Sequence, residues 1–190
     1  MIKNVKLVGV GGQGTILAAK VLVTALINAE YDVKMSEIHG MSQRGGSVSS
    51  EIRFGDKVYS PVIEKGHVDY LVSFELMEAA RSINYMKDTG VLLINDHKIN
   101  SMVTLNGKVQ YPQNIVEELS KQVDTTLISA TEKAIELGNA KAMNIIMLGA
   151  LVKKMKLEEL DFISAIKENV KPKFIDLNIA AFTLGLKLVP

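Results

Sequence analysis

The chain has 190 residues, 47% of them hydrophobic and 23% charged, with a net charge of +1 at pH 7. That composition supports a sizeable core and argues against disorder. Scattered Lys and Arg leave no basic stripe of the kind nucleic-acid binders carry. The absence of cysteine excludes disulfides, Cys-ligated iron–sulfur clusters, thiolate zinc sites and a cysteine nucleophile in this chain.

Residues 5–10 form an apolar run broken only by Lys6 and Gly9 and predict a buried parallel strand. Residues 14–28 predict a helix that is apolar around most of its surface, and residues 31–38 a second strand after the turn Asn28-Ala29-Glu30, so that 5–38 read as a βαβ unit. The alternation over 47–54 predicts a half-exposed strand, with Gly55-Asp56-Lys57 as a hairpin turn and 58–60 as the return strand. Residues 68–74 predict a buried strand, 75–85 a helix, and 91–95 a strand opened by Thr89-Gly90. Asn106-Gly107, flanked by 102–105 and 108–111, carries the strongest short hairpin signal. A helix to about residue 122, a strand over 125–129 and a helix over 131–137 follow.

The last third is helical, over 142–151, 157–169 and 172–186, with Pro172 suited to a first helical turn and Gly149 to close packing. The expected fold class is α/β: a three-layer α/β/α sandwich with a mixed, mostly parallel sheet and C-terminal helices, in one domain spanning residues 1–190. No apolar run approaches the roughly 18–20 residues of a membrane span. Met1-Ile2-Lys3-Asn4 lacks signal-peptide architecture. A cytoplasmic protein is therefore expected.

Two glycine clusters stand one parallel-strand repeat apart: Gly9-Val10-Gly11-Gly12-Gln13-Gly14 and Gly40-Met41-Ser42-Gln43-Arg44-Gly45-Gly46. Both are expected at the same sheet edge. The first would present backbone N–H groups to an anion at a helix N-terminus, and the second carries the Arg44 guanidinium, a fork suited to phosphate or carboxylate. Candidate binding residues are Gly11, Gly12, Gln13, Gly14 and Thr15 of the first loop, and Ser42, Gln43, Arg44, Gly45 and Gly46 of the second. Gly9, Gly11 and Gly14 also fit the G-x-G-x-x-G pattern, and Glu37 lies near the end of the second strand, where a ribose-binding acid would complete a dinucleotide site. Gln13, Thr15 and the neighbouring Arg44 loop count against a standard site of that kind. His39, His67 and His97 form no metal-ligand pattern. No nucleophile elbow, P-loop lysine or Ser–His–Asp set is present. The chain has binding loops without a catalytic constellation, and a purely structural docking role is the third reading.

The stretches Val8–Gly14 and Glu37–Val48, then Val58-Tyr59-Ser60-Pro61 and Asp69–Arg81, resemble the gamma domain of 2-oxoacid:ferredoxin oxidoreductases. The Gly-Met-Ser-Gln-Arg-Gly-Gly segment points to the aryl-pyruvate (indolepyruvate) branch. The resemblance implies a two-subunit enzyme that oxidatively decarboxylates a 2-oxoacid to an acyl-CoA and reduces ferredoxin. Thiamine diphosphate, magnesium and iron–sulfur clusters are then expected on the large partner subunit, and coenzyme A at the subunit interface. This chain would hold no cofactor by itself and would be inactive alone, and it could self-associate through apolar helices when isolated.

Overall fold

The computed structural model describes residues 2–39, 46–100, 102–107 and 110–190. Among them six strands form one sheet in the order β2-β3-β1-β4-β5-β6. They are β1 (Lys3–Val10), β2 (Asp32–His39), β3 (Ser47–Gly55), β4 (Val68–Ser73), β5 (Met86–Asn95) and β6 (Asp124–Ile128). β1, β4, β5 and β6 pair in parallel, and β3 is antiparallel to both β1 and β2. The sheet is therefore mixed and mostly parallel, as expected.

Alternate residues of the strands feed two cores, as a period of two requires for a sheet covered on both faces. Leu7, Val72 and Leu93 join one cluster. Val8, Leu71, Leu92 and Ile94 join the other. The first face is covered by α1 (Thr15–Asn28), α6 (Met143–Met155), α7 (Phe162–Asn169) and α8 (Ile175–Lys187). The second is covered by α2 (Leu76–Ser82) and α4 (Ile115–Ser120). Two short helices, α3 (Met102–Leu105) and α5 (Ala130–Glu136), complete the described α-helices.

Gly149 is a close-packing point, as its sequence context suggested. A Cβ there would lie 2.3 Å from the carbonyl of Phe182, and one on Gly185 would lie 2.0 Å from that of Ile146. Backbone meets backbone where α6 and α8 cross.

Four local expectations are corrected. β3 is an interior strand, not a half-exposed one: Ser50 and Glu51 are buried, because Lys6 lies directly opposite Glu51 across the β1–β3 ladder and pairs with it at 2.5 Å. Residues 58–60 form no return strand, since β1 and β2 already occupy both edges of β3; the Val58 N–H donates to Asp32 Oδ2 at 2.9 Å instead. Around Asn106-Gly107 the chain turns out of α3, with Gly107 N–H donating to the Thr104 carbonyl at 3.1 Å and Gly107 at φ 69°. A positive-φ glycine ends a helix as readily as it turns a hairpin. Lys108 and Val109 lie outside the described residues. The helix expected from residue 157 begins at Phe162, because Asp161 caps it by accepting from Ser164 N at 2.9 Å.

Candidate functional site

The parallel strands β1, β4 and β5 all end at one edge, where α1 and α2 begin and β3 enters antiparallel. The two glycine clusters do meet there. Gly11 N–H donates to the carbonyl of Gly46 at 2.9 Å. Residues 40–45, including the candidates Ser42, Gln43, Arg44 and Gly45, lie outside the described residues.

The first loop is fastened to the sheet by its own polar groups. Gln13 N–H donates to the Val10 carbonyl at 3.1 Å. The Gln13 side chain accepts from Val10 N–H at 2.8 Å and donates to the Phe74 carbonyl at 2.8 Å. Asn95, fully buried, donates to the same carbonyl at 3.1 Å and to Thr131 Oγ1 at 2.8 Å. Two carboxamides thus stitch the ends of β1, β4 and β5 together. Gln13 is a candidate binding residue, but its side-chain amide is engaged within the chain. Thr15, expected in the same role, is only 3% exposed. The Gly11 amide is likewise spent on Gly46. Gly12 stands exposed at φ 104°, and Gly14 begins α1 at φ 81°.

Two glycines of the G-x-G-x-x-G pattern, Gly9 and Gly14, have packing reasons. A Cβ on Gly9 would sit 2.9 Å from Gln13 Oε1 and 3.2 Å from Phe74 Cβ, and one on Gly14 would sit 2.3 Å from Asn144 Nδ2. In a dinucleotide-binding fold the acid lies on the strand beside the first. Here β3 separates β2 from β1, which moves Glu37 one further strand spacing, roughly 4.8 Å, from the glycine loop. The dinucleotide reading loses its geometry.

Sequence reasoning missed the polar cluster next to this edge. Glu75 is the N-cap of α2: its Oε2 accepts from Glu78 N–H at 3.0 Å, and its Oε1 accepts from Ile99 N–H at 3.1 Å and from the Tyr111 hydroxyl. Tyr111 Oη in turn accepts from Met77 N–H at 3.0 Å. Burial, reinforced by the hydrogen bond to the Glu75 carboxylate, pushes the Tyr111 hydroxyl well above the ordinary tyrosine range. Glu78, 2% exposed, accepts from Ser47 Oγ with one oxygen and from Arg81 with the other, the latter at 2.7 Å. These side chains wall a small cavity of about 40 Å³. The legible signal was the spacing of Glu75, Glu78 and Arg81 by threes at the end of an apolar strand, which puts all three on one helix face.

The cluster holds carboxylates whose oxygens are taken by neighbours within the chain, and it fixes Ser47, the residue after the second glycine cluster. Among the described residues no group of three His, Asp or Glu is placed to hold a metal ion. No helix among them is long and apolar enough to cross a membrane.

Residues 4–188 match the pyruvate ferredoxin/flavodoxin oxidoreductase family, and the chain belongs to it. The indolepyruvate oxidoreductase subunit IorB of Pyrococcus horikoshii is 38% identical, over 97% of this chain and 94% of that one. The fold is shared with the gamma subunit of a keto/oxoacid ferredoxin oxidoreductase from Geobacter sulfurreducens, at a TM-score of 0.72 and 24% identity, covering 97% of this chain and 96% of that chain. It is shared too with a 2-oxoglutarate:ferredoxin oxidoreductase from Magnetococcus marinus, solved with 2-oxoglutarate, coenzyme A and succinyl-CoA bound. There the TM-score is 0.76 at 17% identity, over 98% of this chain and 31% of that one.

Proposed function

We propose that the chain is the small subunit of a 2-oxoacid:ferredoxin oxidoreductase of the indolepyruvate type, and that its carboxyl sheet edge closes the active site of a large partner subunit. The observation that carries this is the end-to-end match, at 38% identity, to a protein named as an indolepyruvate oxidoreductase subunit. Chemistry supports the division of labour. Without cysteine the chain cannot ligate iron–sulfur clusters, and the carboxylates at its edge are tied up in structural bonds. The partner supplies thiamine diphosphate, magnesium and the clusters; this chain supplies a rigid edge bearing the Arg44 loop. In that role Arg44, with Gly12, Gly14 and the Ser42–Gly46 backbone, meets the carboxylate of the 2-oxoacid or a phosphate of coenzyme A. The assembled enzyme converts a 2-oxoacid and coenzyme A to an acyl-CoA and carbon dioxide, passing the electron pair to ferredoxin. The chain alone is inactive.

The test is co-purification of a tagged chain from its native host, followed by kinetics of the complex. A large, cysteine-rich, thiamine-diphosphate-binding partner is expected, and Arg44→Ala should raise KM for coenzyme A or for indolepyruvate. A partnerless chain that binds NAD(P) unaided would overturn the reading. Unchanged KM values would confine the loops to docking.

A further inference from the structure

The connection between β3 and β4, residues 56–67, is gripped along its backbone by three charged side chains. Asp32 Oδ2 accepts from Val58 N–H at 2.9 Å, and Glu51 Oε2 accepts from Ile63 N–H at 3.0 Å. Arg53 Nη1 donates to the carbonyls of Ser60 and Val62, at 3.0 and 3.1 Å, while its Nε donates to Asn4 Oδ1 at 2.9 Å. Val58 and Ile63 are buried as apolar anchors. Between them the strap turns two large side chains outward: Tyr59 is 86% exposed and Val62 60%. Single exposed apolar residues are ordinary. These two stand on a backbone fixed in advance, which lowers the entropy cost of meeting a partner. The glycine edge gives the Val58-Tyr59-Ser60-Pro61 motif no role.

The strap shares a face with that edge. Ser47, Ser49, Glu51 and Arg53 alternate on one side of β3, so the face runs from the foot of the second glycine cluster down to the strap. Ile38, 54% exposed, lies directly across from Ser49 on β2. The helices on this side, α2 and α4, pack in a core to which β2 and β3 contribute no residue. On the other side α1 packs against both strands.

The charges of the strap lean one way. Lys57 Nζ stands 5.9 Å from the centroid of the Tyr59 ring. Lys57, Lys65 and Arg53 belong to no ion pair among the described residues. Asp32 is taken by Lys34 and Val58, and Asp56 is engaged within the chain. Glu64 is left to set against three cations.

We propose that this face, from Ser47 to the Tyr59 strap, is where the large partner subunit seats, offering an apolar pocket to the Tyr59 ring and carboxylates to Lys57, Lys65 and Arg53. The inference rests on the reading of the chain as a small subunit. Two observations select that occupant. The face is continuous with the edge turned toward the same partner, and its cations lack acids of their own. Tyrosine and arginine are the residues that most often anchor interfaces. A second copy of this chain would bring the same excess of cations and meet repulsion.

The experiment measures association of the tagged chain with its large subunit by biolayer interferometry at low and high ionic strength, with thermal unfolding as the folding control. Tyr59→Ala should raise Kd about thirtyfold, chiefly through faster dissociation. Lys57→Glu/Lys65→Glu should slow association about tenfold at low salt, and the difference should shrink at high salt. Both variants should unfold at the wild-type temperature, because the altered side chains are exposed. Wild-type kinetics in both would overturn the inference and leave the subunit reading standing. A wild-type chain that binds no large subunit would overturn both. If Tyr59→Ala dissolves a homodimer and leaves the complex intact, the face belongs to a second copy and the inference fails.

Discussion

Glu78 and Ser47 come from different elements, 31 residues apart, and are joined by a side-chain hydrogen bond at the point where β3 leaves the second glycine cluster. The other oxygen of Glu78 holds Arg81, which is half exposed on α2. A buried carboxylate thus links a cation on the helix to the foot of the loop. Ser47→Ala and Glu78→Ala both break this link. In a double-mutant cycle the two should be non-additive, with a coupling of about 0.5–3 kcal/mol, read from urea unfolding. Simple additivity would show that the bond does not matter. Arg81→Ala should destabilise more than an ordinary surface substitution, because it leaves a buried carboxylate with only a hydroxyl for compensation.

Gln13 makes the corresponding link between β1 and β4. Truncating it takes the side-chain acceptor from Val10 N–H and leaves the Phe74 carbonyl with Asn95 as its side-chain donor, at a part-buried position. Gln13→Ala is expected to cost about 1–3 kcal/mol. Gln13→Glu keeps the acceptor for Val10 but faces the Phe74 carbonyl with a carboxylate oxygen, and should be no better than alanine. Thermal unfolding of the three proteins checks the order.

Much of this fold was legible because buried parallel strands announce themselves. Residues 5–10, 68–74 and 91–95 are mainly apolar runs of strand length, and the helix from Thr15 to Asn28 is apolar on nearly every face. β3 was not legible. Its Ser47, Ser49, Glu51 and Arg53 imitate an exposed face, and only the register that sets Glu51 against Lys6 makes burial tolerable. At the site, the meeting of two glycine clusters followed from topology, whereas the use made of Gln13 and Gly11 did not. Polar residues in a glycine loop look like ligand donors until the neighbouring strand ends are in place to claim them. Glu75 and Glu78 escaped notice for a related reason, since their partners Tyr111 and Ser47 are distant in sequence.

Tyr111 supplies a pH signature. Its folded pKa is raised, so its bond to Glu75 contributes stability in full below the ordinary tyrosine pKa, and loses it as the pH climbs through the raised value. The window is therefore alkaline, and nothing should change between pH 6 and 9, below the usual value near 10. In a spectrophotometric titration Tyr111 should ionise far later than an ordinary tyrosine. Tyr111→Phe should delete that late step and flatten the alkaline loss of stability. A late step that survives in Tyr111→Phe would assign it elsewhere; burial also raises Tyr70.

The α6–α8 crossing has no room for a methyl group. The atoms that a Cβ on Gly149 or Gly185 would meet are all main-chain atoms, which cannot rotate aside. Gly149→Ala and Gly185→Ala are each expected to cost at least the roughly 1–3 kcal/mol of core overpacking, despite the better helix propensity of alanine. Separating the helices would also loosen Phe182 from Phe162, whose rings stack at 5.1 Å. A neutral or stabilising result in either variant would contradict the close crossing.

Lys6 and Glu51 form the one charge pair whose two side chains are both at or below 5% exposure among the described ion pairs. Each has a further partner: Glu51 Oε2 accepts from Ile63 N–H at 3.0 Å, and Lys6 Nζ lies 4.2 Å from the centroid of the Tyr85 ring. Removing one charge is worse than removing both, because a lone buried ion keeps its desolvation cost and loses its compensation. Lys6→Met alone is expected to cost about 3–5 kcal/mol. Lys6→Met/Glu51→Gln should recover more than half of that, since glutamine still accepts from Ile63. Urea unfolding of the single and double variants decides it. If the double variant is no more stable than Lys6→Met, the pair is not what fixes β3 against β1, and the antiparallel strand is held in the sheet by its ladder and apolar contacts alone.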